Sequence, residues 1–195
     1  MSRVIFLLEE YSMKALLEGL LPRFFPKIQF LCLSHEGKQD LERSVPRKLR
    51  AWREPGVRFV VVLDNDGSDC ESTKRRLKSL CKKSGRPDTL VRLACQELEA
   101  WYFGEIEALA RGYSRRDLRK LANKARFRDP DQIPKPSILL ENLIPEFQKV
   151  SGARLMSGLL SADHNKSRSY KVFLQGVRRI AVRAQRSRRY AHSRT

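Results

Sequence analysis

The sequence predicts an α/β fold in which helices flank a parallel four-stranded sheet and a helical C-terminal extension follows. Three observations lead to this expectation. Short apolar runs alternate with segments of helical periodicity over residues 1–104. The run at residues 59–63 is continuous and rich in β-branched side chains, which is typical of a strand buried on both faces. Beyond residue 104 only helical patterns recur, separated by Pro-rich or polar loops.

The individual elements follow from these patterns. Strands are expected at residues 4–8, 28–33, 59–63 and 90–94, and the first ends in two Glu residues, which favours a strand over a signal peptide. Helices are expected between the strands at 13–21, about 40–52 and 69–83, with Asp69 as the cap of the third. Beyond the last strand, helices are expected at 97–110, 115–124, 138–144, 154–160 and 169–183, with a loop at 149–154.

The chain divides into three predicted segments. Residues 1–104 form the α/β core, residues 105–183 a helical extension packed on it, and residues 184–195 a basic tail that we expect to be flexible. Because helices alternate with strands in the core, right-handed crossovers and a parallel sheet are expected.

The charge of the chain favours a polyanionic partner. The net charge is +18, and after Asp163 no acidic residue occurs while ten Lys and Arg residues do. Nucleic acid is the favoured partner, bound through its phosphates without regard to sequence. The alternative is a basic surface that serves only solubility. The sequence does not indicate an oligomeric state.

Membrane insertion and zinc binding are not expected. The apolar runs are all shorter than the ~18 residues that a membrane span requires. The four cysteines lie far apart and form no C-x-x-C pair, so the chain is expected to be reduced and cytoplasmic.

Carboxylates follow three of the four predicted strands. Asp64 and Asp66 come after the third, and two glutamates follow each of the first and the last, Glu9 and Glu10 and then Glu97 and Glu99. Strand alternation would point Asp64 and Asp66 the same way, and ligands of parallel sheets bind beyond the carboxyl ends of the strands. Oxygen ligands at this spacing suit Mg²⁺ or Mn²⁺. The alternative is that these residues only cap helices and turns.

Glu97 and Glu99 cannot share one helical face, so Glu97, the nearer to the strand, is the favoured ligand. Lys38 and Lys166 are candidates for contact with phosphate, and the alternative for each is simple solvation at the surface. His35 and His164 are weaker candidates for moving a proton, because a loop histidine is more often polar surface.

The order of these motifs resembles the Toprim domain of topoisomerases, primases and OLD-type nucleases. More closely, the chain resembles an uncharacterised bacterial family, domain-of-unknown-function family 4276, over nearly its whole length to about Phe173. The resemblance rests on these phrases: LLEEYSMKALLEGLLPR, HEGKQDL, PRKLRAWREPGVRFVVVLDNDGSDC, ACQELEAWYFGE, KARFRDPD, QKVSGAR and HNKSRSYKVF.

The resemblance implies a Toprim-like, Rossmann-like core and a role for each matching residue. Glu9 would be the acid/base or metal residue, Asp64 and Asp66 the metal-binding D-x-D, and Glu97 an additional carboxylate. One position departs from the pattern, since Glu10 stands where the motif typically has Gly. The resemblance also implies an ATPase partner in a phage-defence setting.

Three functions are compatible with the sequence. A Mg²⁺-dependent nuclease would use the acidic residues as metal ligands, with Glu9 as general base. A non-catalytic module would bind nucleic acid or an ATPase with a vestigial site. A phosphatase is least favoured, because N-D-G-S-D-C follows Asp64 where the haloacid-dehalogenase motif has another pattern. ATP hydrolysis is not encoded, since no G-x-x-x-x-G-K-[ST] loop occurs.

Overall fold

A four-stranded parallel sheet forms the centre of the computed structural model, which describes residues 3–192, with side chains up to Val182. The strands are β1 (Arg3–Leu8), β2 (Gln29–Ser34), β3 (Arg58–Asp64) and β4 (Leu90–Ala94). Their order is β2-β1-β3-β4, and each neighbouring pair is parallel. The predicted sheet is therefore confirmed, with each strand within one residue of its expected start and end.

The crossover helices are α1 (Tyr11–Phe24), α2 (Lys38–Ala51) and α3 (Cys70–Lys83). Asp69 caps α3 as predicted, because its carboxylate accepts the backbone N–H of Ser72 at 2.7 Å. Helix α1 continues past Pro22, which had been expected to end it, and Pro22 lies inside its last turn.

Strand alternation divides the apolar side chains between two cores. Val4, Phe6 and Leu8 face α1 and the C-terminal extension, whereas Ile5 and Leu7 face α2 and α3. Both faces of the sheet are covered, which is why its strands are continuous apolar runs.

Beyond β4 the described part of the chain contains five helices and three 3-10 segments. The helices are α4 (Glu99–Phe103), α5 (Ile106–Gly112), α6 (Pro136–Leu143), α7 (Lys149–Leu159) and α8 (Arg168–His192). The 3-10 segments are Arg116–Asn123, Ala125–Phe127 and Pro130–Gln132.

Several predicted boundaries in the extension were wrong. The single helix expected at 97–110 is two helices separated at Gly104, where the side chain of Asn165 occupies the space that a Cβ would need. The segment expected as a helix at 115–124 is a 3-10 segment, and the loop expected at 149–154 is the first half of α7. Helix α8 continues to His192, so the predicted basic tail falls on this helix and on residues 193–195, which lie outside the described part.

The segment HNKSRSY joins the extension to the core through a buried network. Asp131 accepts hydrogen bonds from the hydroxyl of Ser167 at 2.6 Å and from the backbone N–H of Ser169 at 2.7 Å. The indole N–H of Trp101 donates to the hydroxyl of Ser169 at 2.8 Å, and the Asn165 amide donates to the Trp101 carbonyl at 2.8 Å. The polar residues of this segment therefore stabilise the fold.

Between residues 3 and 192 the structure contains no helix with the length and apolar character that crossing a bilayer requires.

Candidate active site

The loops that follow the strands are held together at the carboxyl edge of the sheet. The ladder continues beyond the strands, since Glu9 N–H donates to the Val62 carbonyl at 3.2 Å and Asn65 N–H to the Ala94 carbonyl at 3.1 Å. Asp66 N–H likewise donates to the Gln96 carbonyl at 2.9 Å. These bonds fix the backbone of three acidic loops relative to one another.

Asp64 lies at the centre of this edge. It is the last residue of β3 and is only 5% exposed. Its backbone N–H donates to Glu9 Oε2 at 2.9 Å, while its own Oδ1 has no hydrogen-bond partner among the described residues. Burial, reinforced first by the charge of Glu99 and then by that of Glu9, raises the pKa of Asp64 well above its ordinary value.

Glu99 is the second buried carboxylate of the site. It is the first residue of α4, is fully buried, and neither of its carboxylate oxygens has a hydrogen-bond partner within the part of the chain described. Burial raises the pKa of Glu99 to about 7, although the charge of Lys149 opposes the shift. Of the charged neighbours of Asp64, Glu99 has the strongest effect on it.

The sequence reasoning preferred Glu97 to Glu99 on the assumption that a helix begins at residue 97. The helix instead begins at Glu99, after a turn in which Gln96 has a positive φ of 63°. Glu97 Oε2 accepts the backbone N–H of Ser137 at 2.8 Å, in the first turn of α6. Glu97 therefore serves as an N-terminal cap of α6 from a distant part of the chain, and its role as a metal ligand remains a prediction.

Asp66 differs in environment from Asp64. The strand ends at Asp64, and Asp66 adopts a positive φ of 48°, so strand alternation does not govern its direction. Its side chain is 53% exposed and pairs with Lys38 Nζ at 2.6 Å. Lys38, the first residue of α2, thus lies at the acidic edge as expected for a residue that follows β2.

Lys149 is a site residue that sequence reasoning missed. It is the first residue of α7, in the segment predicted to be a loop, and its Nζ lies 3.9 Å from Glu10 Oε2. Burial opposes the charge of Lys149, yet the carboxylates of Glu99 and Glu10 outweigh that effect and raise its pKa. A basic residue in the phrase QKVSGAR was visible in the sequence, but no local signal linked it to a strand end.

The remaining candidates lie elsewhere. His35 is buried beneath the edge, where its Nδ1 lies 2.8 Å from the Leu8 carbonyl and its Nε2 lies 3.2 Å from Lys48 Nζ. Burial lowers the pKa of His35, and this pairing makes its Nε2 an acceptor for Lys48. Lys166 and His164 are exposed and line a separate cavity of about 360 Å³ beside α5. None of the acidic residues that follow the strands lines that cavity.

The carboxylate oxygens at this edge are suitable ligands for a hard divalent cation. In residues 3–182, no three His, Cys, Asp or Glu side chains converge closely enough to form a closed metal cage. Mg²⁺ does not require one, because it is commonly held by one or two carboxylates and keeps several waters. Asp64 Oδ1 and the two Glu99 oxygens are buried acceptors that a cation or a proton would satisfy. Asp64 and Glu99 are therefore the residues suited to hold an ion, with Glu9 beside them.

Comparisons with known proteins agree with this fold. Two solved structures of the C-terminal region of the Xanthomonas campestris pv. campestris OLD protein, phased with iodine and with mercury, match with TM-scores of 0.60 and 0.58. Each is 15% identical to this chain; the matches cover 97% and 96% of this chain and 98% of each of those chains. A comparison with curated proteins finds no match.

The likeness to these structures confirms the predicted Toprim-like α/β fold. Residues 8–178 match the family described as Domain of unknown function (DUF4276), so most of the chain is covered by that match. The protein belongs to the DUF4276 family.

Proposed function

We propose that this protein is a Mg²⁺- or Mn²⁺-dependent nuclease that cleaves phosphodiester bonds in DNA or RNA. The observation that carries the proposal is the pair of buried carboxylates, Asp64 and Glu99, with three oxygens that lack hydrogen-bond partners in the described chain. Buried charge of one sign is unfavourable unless a proton or cation neutralises it. The likeness to the OLD C-terminal region supports a Toprim-like nuclease domain.

Each acidic residue has a distinct part in this proposal. A bound divalent ion would neutralise charge on the scissile phosphate and polarise a water. Asp64 and Glu99 would hold the ion, and Glu9 fixes the backbone of Asp64 through the 2.9 Å hydrogen bond to its N–H. Burial raises the pKa of Glu9, which brings this carboxylate closer to the range in which a general base works near neutral pH.

Two lysines provide positive charge on either side of the carboxylates. Lys38 pairs with Asp66, and Lys149 lies near Glu10 and Glu99. Either ammonium group could bind a phosphate oxygen and stabilise the charge that develops during cleavage. Lys149 replaces Lys166 as the favoured residue for this role, because Lys166 lies on a different cavity.

The charge of the chain supports nucleic acid as the substrate. A net charge of +18 favours binding to a phosphate backbone, and α3 presents exposed Arg75, Lys78 and Lys82. This contact carries no sequence information, so the proposal is cleavage that is independent of sequence.

Cleavage assays with plasmid DNA, single-stranded DNA and RNA test the proposal. We expect cleavage with Mg²⁺ or Mn²⁺, none with EDTA, and a loss in Asp64→Asn larger than the ~100-fold that removal of an outer-shell metal partner can cost. Asp88→Asn is the matched control, because Asp88 is a surface carboxylate paired with Arg58. Equal cleavage by wild type and Asp64→Asn would refute the proposed site.

A second candidate is a non-catalytic module that binds nucleic acid or a partner ATPase. It is favoured by the lysine pairing, because Lys38 and Lys149 already neutralise part of the acidic edge without a metal ion. Nucleic-acid binding that is unchanged by EDTA, with no cleavage in the presence of a partner ATPase, would support this alternative. The ATPase partner and the role in phage defence are part of the proposal, and they rest on the resemblance of the sequence to OLD-type nucleases.

A further inference from the structure

Two cysteines meet beside the acidic edge of the sheet. Cys70 is the first residue of α3, Cys95 directly follows β4, and their sulfur atoms are 3.6 Å apart. Both side chains are partly exposed, and both are reduced in this structure. The two residues lie far apart in the sequence but are brought together because β3 and β4 are neighbours in the sheet.

We propose that Cys70 and Cys95 form a reversible disulfide when the protein meets hydrogen peroxide or a related hydroperoxide. The sulfur atoms of a disulfide are about 2.05 Å apart, so closure requires them to approach by only ~1.5 Å. Cys70 is the first residue of α3, where the positive end of the helix dipole stabilises negative charge that develops on sulfur during a reaction. The amide of Asn65 also donates to Cys70 Sγ at 3.0 Å and would stabilise negative charge there.

The proposed reaction has two steps. The Cys70 thiolate attacks one oxygen of the peroxide, the O–O bond breaks, and the departing hydroxide takes up a proton to leave as water. Cys70 is then a sulfenic acid. Cys95 gives up its proton and attacks the Cys70 sulfur, the S–S bond forms as the S–O bond breaks, and a second water leaves. The two thiols lose two electrons, and the peroxide gains them.

The other two cysteines are poorly placed for this chemistry. Cys32 on β2 and Cys81 on α3 are buried, and burial raises the pKa of the Cys32 thiol to about 12 and that of the Cys81 thiol to about 11. Burial also raises the pKa of the Cys95 thiol. Because the Asn65 amide donates to Cys70 Sγ and Cys70 begins α3, we assign Cys70 as the attacking residue and Cys95 as the one that resolves the sulfenic acid.

The proposed bond would act on the loop that carries the acidic residues. The side chain of Asn65 touches Cys70 and also accepts the backbone N–H of Gln96, so it connects the loops after β3 and β4. Asp64 and Asp66 are the neighbours of Asn65 in the chain. Closure of the disulfide would displace the Asn65 amide from Cys70 and shift this loop, which would lower the metal-dependent activity. This consequence rests on the proposed function, whereas formation of the bond does not.

Thiol mapping of the full-length reduced protein tests the bond itself. After treatment with hydrogen peroxide we expect a mass loss of about 2 Da, for the two hydrogens given up, and a cross-linked peptide containing Cys70 and Cys95. Cys32 and Cys81 should still react with N-ethylmaleimide after unfolding, which makes them internal controls. Dithiothreitol should restore all four thiols.

A variant separates formation of the sulfenic acid from closure of the disulfide, and the assays together separate the disulfide hypothesis from the nuclease hypothesis. Cys95→Ser should form no disulfide, and its Cys70 sulfenic acid should instead react with dimedone. The cleavage activity of this variant should no longer respond to peroxide. The inference is overturned if all four thiols of the folded, peroxide-treated protein stay reactive, or if the bond joins two molecules. If the reduced protein cleaves no nucleic acid, the proposed function fails while the thiol map still decides the disulfide.

Discussion

Glu99 makes the stability of the folded protein depend on pH. Burial raises its pKa from 4.5 to about 7, so between these values the folded state holds a proton that the unfolded chain has released. The unfolded state then binds fewer protons than the folded one, and the free energy of unfolding therefore falls as pH rises through this interval. Glu99 therefore destabilises the folded protein above about pH 7, and it has no such effect below its pKa in the unfolded chain, where both states are protonated.

We expect Glu99→Gln to remove this pH dependence. In EDTA, the free energy of unfolding of the variant relative to wild type should increase by about 3 kcal/mol between about pH 4 and pH 8, measured by urea denaturation. Glu107→Gln is the control, because Glu107 is an exposed carboxylate paired with Arg119. If the difference in the free energy of unfolding between Glu99→Gln and wild type does not change with pH, Glu99 is not a buried carboxyl group with a raised pKa.

The helix α6 depends on a cap that lies outside its own segment. Glu97 accepts the Ser137 N–H, and its removal leaves a backbone donor of the first turn without its carboxylate partner. We expect Glu97→Ala to lower the free energy of unfolding by about 1 kcal/mol, as for other lost caps, and Glu97→Gln to lower it less because an acceptor oxygen remains. Urea denaturation of both variants measures this.

The same pair of variants tests whether Glu97 is a metal ligand, as the sequence predicts. If Glu97 is only a cap, Glu97→Gln should retain metal-dependent cleavage. If it is a metal ligand, Glu97→Gln should lose cleavage while its stability remains close to wild type.

Strands were predictable from the sequence because local patterns determine them. The apolar run before Asp64 and the acidic residues after three strands were sufficient to place Glu9 and Asp64 at one edge of a parallel sheet. Lys38 was also expected there, since it follows β2. These predictions required only strand order and direction.

Long-range packing determined the parts that were missed. The segment KVSGAR was predicted to be a loop, but it lies inside α7, where the Phe147 ring occupies the space that a Cβ of Gly152 would need. Lys149 was therefore not recognised as part of a helix that reaches the site. Glu99 was rejected on helical spacing, although the turn at Gln96 delays the helix until Glu99 itself.

The whole molecule is strongly basic, and this charge should control binding to nucleic acid. With a net charge of +18, the logarithm of the association constant should fall linearly with the logarithm of salt concentration, with a slope of about −0.9 for each phosphate neutralised in duplex DNA. A loss of roughly 10³-fold between about 50 and 200 mM salt would correspond to six phosphate contacts. Fluorescence anisotropy in EDTA measures this directly.

Asp64→Asn should show the same slope as wild type in EDTA, because Asp64 carries no positive charge and neutralises no phosphate. Substitution of Arg75, Lys78 and Lys82 on α3 by Gln should make the slope less negative, because fewer phosphates are neutralised. A control triple variant at the exposed residues Arg116, Lys120 and Lys124 would show whether the effect is specific to α3. Affinity that does not change with salt would rule out binding through the phosphate backbone.

The contribution of α7 to the acidic edge has a consequence for the ancestry of this chain. Glu10 and Glu99 belong to residues 1–104, but Lys149, which offsets their charge, belongs to the extension. A gene fusion that joined this α/β core to an unrelated helical extension would inherit Glu10 and Glu99 without this lysine. We therefore expect the core and the extension to have evolved as one unit. Chimeras between distant relatives should lose function unless a cationic side chain occupies the position of Lys149.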